Sequence, residues 1–399
     1  MWCNTNKIMV EGIDMIWVAR ITLLGILLAW LLALVKAIRN YIRPKWVLPT
    51  SAPKAPKNIL VSVVIPARNE ERNIGHCVQS VMTQSHEKLQ IVVMNDGSTD
   101  KTGNILQELQ EKEERIILVE GDGGALPEGW FGKPWALQRA QRHATGEWLL
   151  FIDADVVLSP EAVSCTVQYA IQQELDMVTG LGELDNRGFW EKVLQPVVGG
   201  LILAGNSLTA VNDPNRPERN LANGQFILIS RQAYDKIGRH TAVKDNILDD
   251  IGLARALVAH NLRYHCLHLD QLFRCRMYTS FAEIWEGWTK NMFAGLQYSI
   301  PNVIIAIVFT FAFSILGHVL FFLGIYKLVS VEMMLWGTGI MVLCQAVRLV
   351  MDWRKGMNML YGLTHAPANI LVIGILLHSM IRSVRGTVTW KGRIYQPKQ

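Results

Sequence analysis

Residues 146–158 read GEWLLFIDADVVL. The run of Leu, Phe and Ile has the length and apolarity of a strand buried on both faces, as in a parallel sheet. It ends in two carboxylates, Asp153 and Asp155, separated by one small residue. Carboxylates that close raise each other's pKa and repel. A strand that delivers such a pair to its C-terminal end asks for a positive charge between them. Hard oxygen donors with few other ligand types suit Mg2+ or Mn2+, which keep waters and take phosphate oxygens as further ligands. Alone, an Asp-x-Asp fits a solvated turn or a helix cap equally well, so its surroundings have to be read with it.

Those surroundings alternate. ILVSVVIPA (59–67) is a buried strand and NEERNIGHCVQSVMTQ (69–84) has helical periodicity. LQIVVMND (89–96) is a second strand, followed by a helical stretch from Asp100 to about Glu114, and RIILVEGD (115–122) is a third. Strand alternating with helix implies an α/β fold with a mostly parallel sheet and ligands at the strand C-terminal ends. Asp96 closes the second strand as Asp153 and Asp155 close the fourth, so three acids gather where a ligand is expected.

The chain is 399 residues long and 50% hydrophobic, with a mean hydropathy of +0.19. This exceeds what a soluble domain needs, and the excess is concentrated at the two ends. Residues 16–35, IWVARITLLGILLAWLLALV, carry one charge, Arg20, and suffice to cross a bilayer. Lys36, Arg39, Arg43, Lys45, Lys54 and Lys57 follow with no acid among them, which places the following domain in the cytoplasm by the positive-inside rule. Four prolines in 44–57 read as an extended spacer after an anchor covering 1–43. Apolar runs return at 302–326, 333–351 and 359–381, making 301–399 a membrane region with a basic tail. A full crossing by the third would put the basic tail outside, against the charge rule. His365 and Pro367 are expected to break it into a re-entrant or interfacial piece. The net charge of +5 suits an anionic bilayer surface or a phosphorylated substrate and is too diffuse for a nucleic-acid partner. The six scattered cysteines show no zinc spacing and read as reduced thiols of a cytosolic environment.

VSVVIPARNEERNIGHCVQSV (61–81), IVVMNDGSTDKT (91–102), GKPWAL (132–137) and FIDADV (151–156), in this order and spacing, resemble the family 2 glycosyltransferases, which have a GT-A fold. The resemblance runs from residue 60 to about 290 and places the catalytic domain at 58–300. It implies a nucleotide sugar, usually UDP-linked, with a divalent metal. Residues matching Pro66, Ala67 and Glu70 line the family's nucleotide pocket, and the one matching Asp96 contacts the base. The residue matching Lys133 lies near the phosphates, and the pair matching Asp153 and Asp155 carries the ribose and the metal. Chemistry agrees, because a pyrimidine N–H suits a carboxylate acceptor and a diphosphate wants a cation.

In NILDDIGLARALVAHNLRYH, Asp249 and Asp250 precede a helical pattern. They can cap that helix, or one of them can serve as a general base. Family members place two acids here, and the resemblance assigns the base to Asp250. Downstream, Gln271-x-x-Arg274 is followed by Cys275 where the wider family often shows Trp, and Arg276-Met-Tyr278 comes next. The form RMY…EGWTKN resembles membrane glycosyltransferases acting on carotenoid and other terpenoid lipids, which favours Arg276 as the diphosphate contact. Trp285 and Trp288, on an amphipathic stretch, are expected at headgroup level or near the lipid acceptor. The tail GTVTWKGRIYQ (386–396) resembles that of carotenoid- and hopanoid-associated members. It is expected to fold back on the catalytic domain, with Lys391 and Arg393 facing diphosphate or a lipid headgroup. Residues 190–213 are apolar but interrupted by Gly and Pro, and read as an interfacial helix. The expectation is an inverting transferase that moves a hexose from a nucleotide sugar to a lipid in the bacterial plasma membrane. A polysaccharide synthase would need more spans. A nucleotidyltransferase would need a Gly-rich, Arg-containing loop after the first strand, and PARNEERNIG is not one. A non-enzymatic scaffold would not need the acids.

Overall fold

The computed structural model describes residues 2–42, 45–52, 56 and 58–395. Part of the expected proline-rich spacer, with Lys54 and Lys57, lies outside the described residues, as do Arg43 and Lys398. The chain divides into two compact units. One takes residues 1–45, 188–199 and 299–380, and the other 46–187, 200–298 and 381–399. The sequence boundaries differ in three places. Residues 46–52, expected as part of the spacer, belong to the α/β unit, where Leu48 is buried in the core and its N–H donates to His268 O at 3.2 Å. Residues 188–199 group with the apolar helices, and residues from 381 onward group with the α/β unit.

The described residues form twelve strands: β1 (Val61–Ala67), β2 (Leu89–Asn95), β3 (Ile116–Glu120), β4 (Trp148–Ile152), β5 (Val156–Leu158), β6 (Met177–Leu181), β7 (Glu183–Leu184), β8 (Phe226–Ser230), β9 (Tyr264–His268), β10 (Phe273–Cys275), β11 (Val388–Trp390) and β12 (Arg393–Tyr395). Seven make the main sheet in the order β3-β2-β1-β4-β8-β6-β9. Only β8 runs antiparallel to its neighbours β4 and β6. The expected mostly parallel α/β sheet is therefore present, with one reversed strand in its middle. Apolar side chains fill both faces. Ile65, Ile91 and Leu150 pack with Ile74, Val78 and Leu106 on one side. Val64, Met94 and Phe151 pack with Leu137, Tyr234 and Leu253 on the other. Parallel strands covered on both faces explain the unbroken apolar runs.

After β4 the chain turns through Asp153, Ala154 and Asp155 and enters β5, which pairs with β10 in a second sheet, β5-β10-β7. The two acids thus sit where the chain leaves one sheet for another. Strands β11 and β12 form a hairpin with Trp390 opposite Arg393. Its two-residue turn, Lys391–Gly392, has φ of 47° and 76°. That is the left-handed pair a type I′ hairpin turn requires, with Gly at the second position.

The other unit holds helices long and apolar enough to cross a membrane: Met15–Arg39, Ile300–Ile325, Val331–Arg354 and Met359–Val384. The first is part of a longer helix, Trp2–Ile42. It packs on Val331–Arg354 through Leu23, Ile26 and Ile340. Arg20, the charge inside that span, is paired by both arms of its guanidinium with Glu332, at 2.6 and 2.8 Å. A π-helical turn at Phe311–Ile315 loosens the carbonyl ladder, and the Trp30 indole donates to Phe313 O at 2.7 Å. Gly317 and Gly337 let their helices touch, since a Cβ on Gly317 would come within 2.9 Å of Gly337 O. Arg348 (4% exposed) and Asp352 (0%) form a buried pair at 2.8 Å, and Arg348 also donates to Lys192 O. The apolar run changes character at His365, since Met359–Thr364 is a 3-10 helix and the α-helix runs from His365 to Val384. Pro367 thus falls in a first turn, where no intrahelical N–H is needed, and does not interrupt the α-helix itself.

Candidate active site

A cleft of about 570 Å³ opens at the ends of β1, β2 and β4. Every donor-site residue expected from the sequence lines it: Pro66, Ala67, Glu70, Asp96, Lys133, Asp153, Asp155, Asp249, Asp250 and Arg276.

The first acid pair is unequal. Lys133, in the first turn of the helix Gly132–Ala140, places its ammonium 2.5 Å from Asp153 Oδ1. Burial opposes the Lys133 charge, but Asp153, Asp249 and Asp250 outweigh burial and raise its pKa. Asp155 has no such partner. Its Oδ1 is buried without a hydrogen bond among the described residues. Burial, then the charges of Asp153 and Glu70, push its carboxyl above the usual carboxylate range, with Lys391 opposing. A buried carboxylate with an orphaned oxygen, among other carboxylates, fits a divalent cation. No cluster of three or more His, Cys, Asp or Glu side chains is arranged for a metal among the described residues. A cation here would rest on Asp153 and Asp155, with water and phosphate completing its shell.

The second pair sits in the first turn of the helix Asp249–Ala259, and neither acid is the capping residue, which is Leu248. Asp250 is braced. Its Oδ2 accepts from Gly224 N–H at 2.8 Å and its Oδ1 from Ile251 N–H at 2.8 Å. Burial, then Asp249, push Asp250 up to about 6 against the opposing Lys133. Gly224 stands close to both groups, since a Cβ there would lie 2.8 Å from Lys133 Nζ and 3.5 Å from Asp250 Oδ2. This glycine backbone therefore lies between the two acid pairs.

Arg276, Met277 and Tyr278 line the cleft, whereas Arg274 on β10 is exposed and does not. The helix Phe281–Gly295 turns Glu283, Glu286 and Lys290 toward the cleft. Trp285 and Trp288 are off that face. Trp285 meets Phe281 with centroids at 5.6 Å, and Trp288 meets Tyr278 at 6.3 Å. Lys290 escaped the sequence reading. Its ammonium lies 5.7 Å from the Trp390 ring and 5.6 Å from the Tyr395 ring, and burial lowers it to about 8. The 283/286/290 spacing, one helical face, was the available signal. The hairpin β11–β12 closes the cleft further, with Lys391 paired to Glu70 and Arg393 to Asp96.

Residues 62–238 match the model of Glycosyl transferase family 2. Together with the acid-ended parallel sheet, this marks residues 62–238 as a family 2 glycosyltransferase domain and the chain as a glycosyltransferase. It resembles enzymes that modify carotenoids. The 4,4'-diaponeurosporenoate glycosyltransferase of Staphylococcus aureus (strain USA300) is 28% identical over 346 residues, covering 84% of this chain and 88% of that enzyme. A similar relative from S. aureus (strain MRSA252) bears the same name at the same identity and coverage. Among solved structures, a mannosyltransferase from Pyrobaculum calidifontis, in complex with GDP-Man and Mn2+, aligns with a TM-score of 0.51 and 17% identity. That alignment covers 91% of this chain and 99% of the mannosyltransferase, and it is a likeness of fold.

Proposed function

We propose that this glycosyltransferase moves a hexose from a nucleotide sugar, UDP-linked, to a lipid acceptor with inversion at the anomeric carbon. A carotenoid, hopanoid or other terpenoid lipid is the acceptor this reading favours, in keeping with the name of the S. aureus relatives. The observation that carries it is the pairing, in one cleft, of an orphaned carboxylate at Asp155 with a braced carboxylate at Asp250. The first suits a cation beside a diphosphate and the second suits a proton acceptor.

Asp96 accepts an N–H of the base, and Pro66 and Ala67 wall the nucleotide. A divalent cation held by Asp153 and Asp155 would supply positive charge against the leaving diphosphate. Lys133 and Arg276 add fixed positive charge on the same side of the reaction. Asp250 takes the proton of an attacking hydroxyl, its orientation fixed by the N–H groups of Gly224 and Ile251. A carboxylate acceptor is already ionised at neutral pH and leans less on that base. The apolar helices hold the enzyme in the bacterial plasma membrane with the catalytic unit on the cytoplasmic side, where nucleotide sugars and the inner-leaflet lipid meet.

The test compares total lipid extracts by mass from cells carrying the wild-type protein and cells carrying Asp155→Asn. Lipids heavier by one hexose are expected only with the wild type. Identical extracts, or sugar found only in a water-soluble polymer, would refute the lipid acceptor.

A further inference from the structure

Asp96, the acid that the proposed function offers to the base, is not alone. Arg393 Nη1 donates to Asp96 Oδ2 at 2.7 Å, and the two side chains are 14% and 5% exposed. Arg393 belongs to the C-terminal hairpin, more than 290 residues away in sequence. Packing, and not Asp96 alone, places it. Val388 and Tyr395 are buried with Ile247, and the Tyr395 ring lies against Phe131 with centroids at 5.0 Å. Lys391 pairs with Glu70 on one side of the turn, and Trp390 and Tyr395 flank Lys290. Gly132 leaves the space that the guanidinium fills, since a Cβ there would collide with it. The Asp96 backbone is held as well, its carbonyl accepting from Arg68 Nη1 at 2.7 Å.

Two features of this ion pair are unfinished. Arg393 Nη2 is buried and has no hydrogen-bond partner among the described residues. Arg393 and Asp96 both line the cleft. A buried charged donor without a partner is costly unless something arrives to satisfy it.

We infer that Arg393 and Asp96 together read the Watson–Crick edge of the donor nucleobase. Asp96 accepts a ring N–H and Arg393 donates to the carbonyl beside it. An acceptor and a donor side by side match an edge that presents N–H next to C=O, as uracil and guanine do. Cytosine and adenine present a ring-nitrogen acceptor next to an amine donor, the reverse order. They would leave the carboxylate facing a lone pair and the guanidinium facing an amine. The C-terminal hairpin is thus a specificity-determining part of the donor site, selecting uridine or guanosine over cytidine or adenosine diphosphate. The inference rests on the reading that this cleft takes a nucleoside diphosphate.

The test is calorimetric binding of UDP, GDP, CDP and ADP, with Mn2+, to the full-length protein in lipid nanodiscs, for wild type, Arg393→Gln and Arg393→Lys. Arg393→Lys keeps the charge and removes the planar fork, so it guards against a collapsed hairpin. The wild type is expected to bind UDP or GDP at least about tenfold more tightly than CDP and ADP. Both variants are expected to lose most of that preference while binding of the disfavoured nucleotides changes little. Preference unchanged in both variants overturns the inference. So does tighter UDP or GDP binding in either, which would make the ion pair a plug on the cleft. A wild type that binds all four alike sinks the inference alone. A wild type that binds none of them sinks the nucleotide reading with it.

Discussion

The two acid pairs of the cleft have similar composition and opposite surroundings. Asp153 and Asp155 sit on a turn between two sheets, where one carboxylate is neutralised by Lys133 and the other keeps a buried, unpartnered oxygen. Asp249 and Asp250 sit in the first turn of a helix, where Asp250 is held by two backbone N–H groups. A carboxylate with one buried oxygen left without a donor suits a cation from outside. One with a donor on each oxygen is fixed in direction and can take a proton without swinging away. The roles proposed for the acids follow the donors the fold gives or denies each one, and not the sequence pattern DxD or DD.

Substitutions that remove charge and keep shape separate the two roles. Asp155→Asn is expected to have the largest effect, a loss of transfer on the order of 10³-fold, since it removes half of the proposed cation site. It should leave the protein in the membrane, and a chelator should reproduce the loss in the wild type. Transfer that survives both treatments would remove the cation from the account. Asp250→Asn comes next, with a loss on the order of 10²-fold for a hydroxyl acceptor and donor affinity nearly unchanged. Steady-state kinetics with separately measured donor binding would show it, and near-normal transfer to a hydroxyl would assign the base elsewhere. The pH profile sharpens the same point. Asp250 acts ionised, and burial with Asp249 raises it to about 6, although Lys133 and Lys290 also face it. The rate should therefore hold above pH 6 and fall about tenfold per unit below it. A flat profile from pH 7 to 5 would contradict a base at Asp250. The smallest effect is expected at Asp249→Asn, less than about tenfold, because the braced oxygen atoms belong to its neighbour. A larger loss there than at Asp250 would exchange the two assignments.

Much of this was legible in the sequence, for local reasons. An apolar run ending in Asp153 and Asp155 announces a buried parallel strand with a polar end, and Asp96 repeats the device on β2. The reversal of β8 was not legible, because strand order depends on pairing across the sheet. Pro367 looked like a breaker and is harmless in a first turn. Trp285 and Trp288 drew notice as aromatic residues, yet the face of their helix that lines the cleft carries Lys290. The tail motif was visible, but its pairing with Glu70 and Asp96 arises only when the ends of a long chain are brought together. Local periodicity reveals an element and its polar end. It does not show which distant element covers that end.

The most direct test of the account uses the purified protein in vesicles of bacterial lipid, supplied with radiolabelled UDP-hexose and a divalent cation. Label is expected to move into the organic phase on a lipid product with wild type and to stay in the aqueous phase with Asp155→Asn. Label that never leaves the aqueous phase with the wild type, or that moves equally with Asp155→Asn, would contradict it.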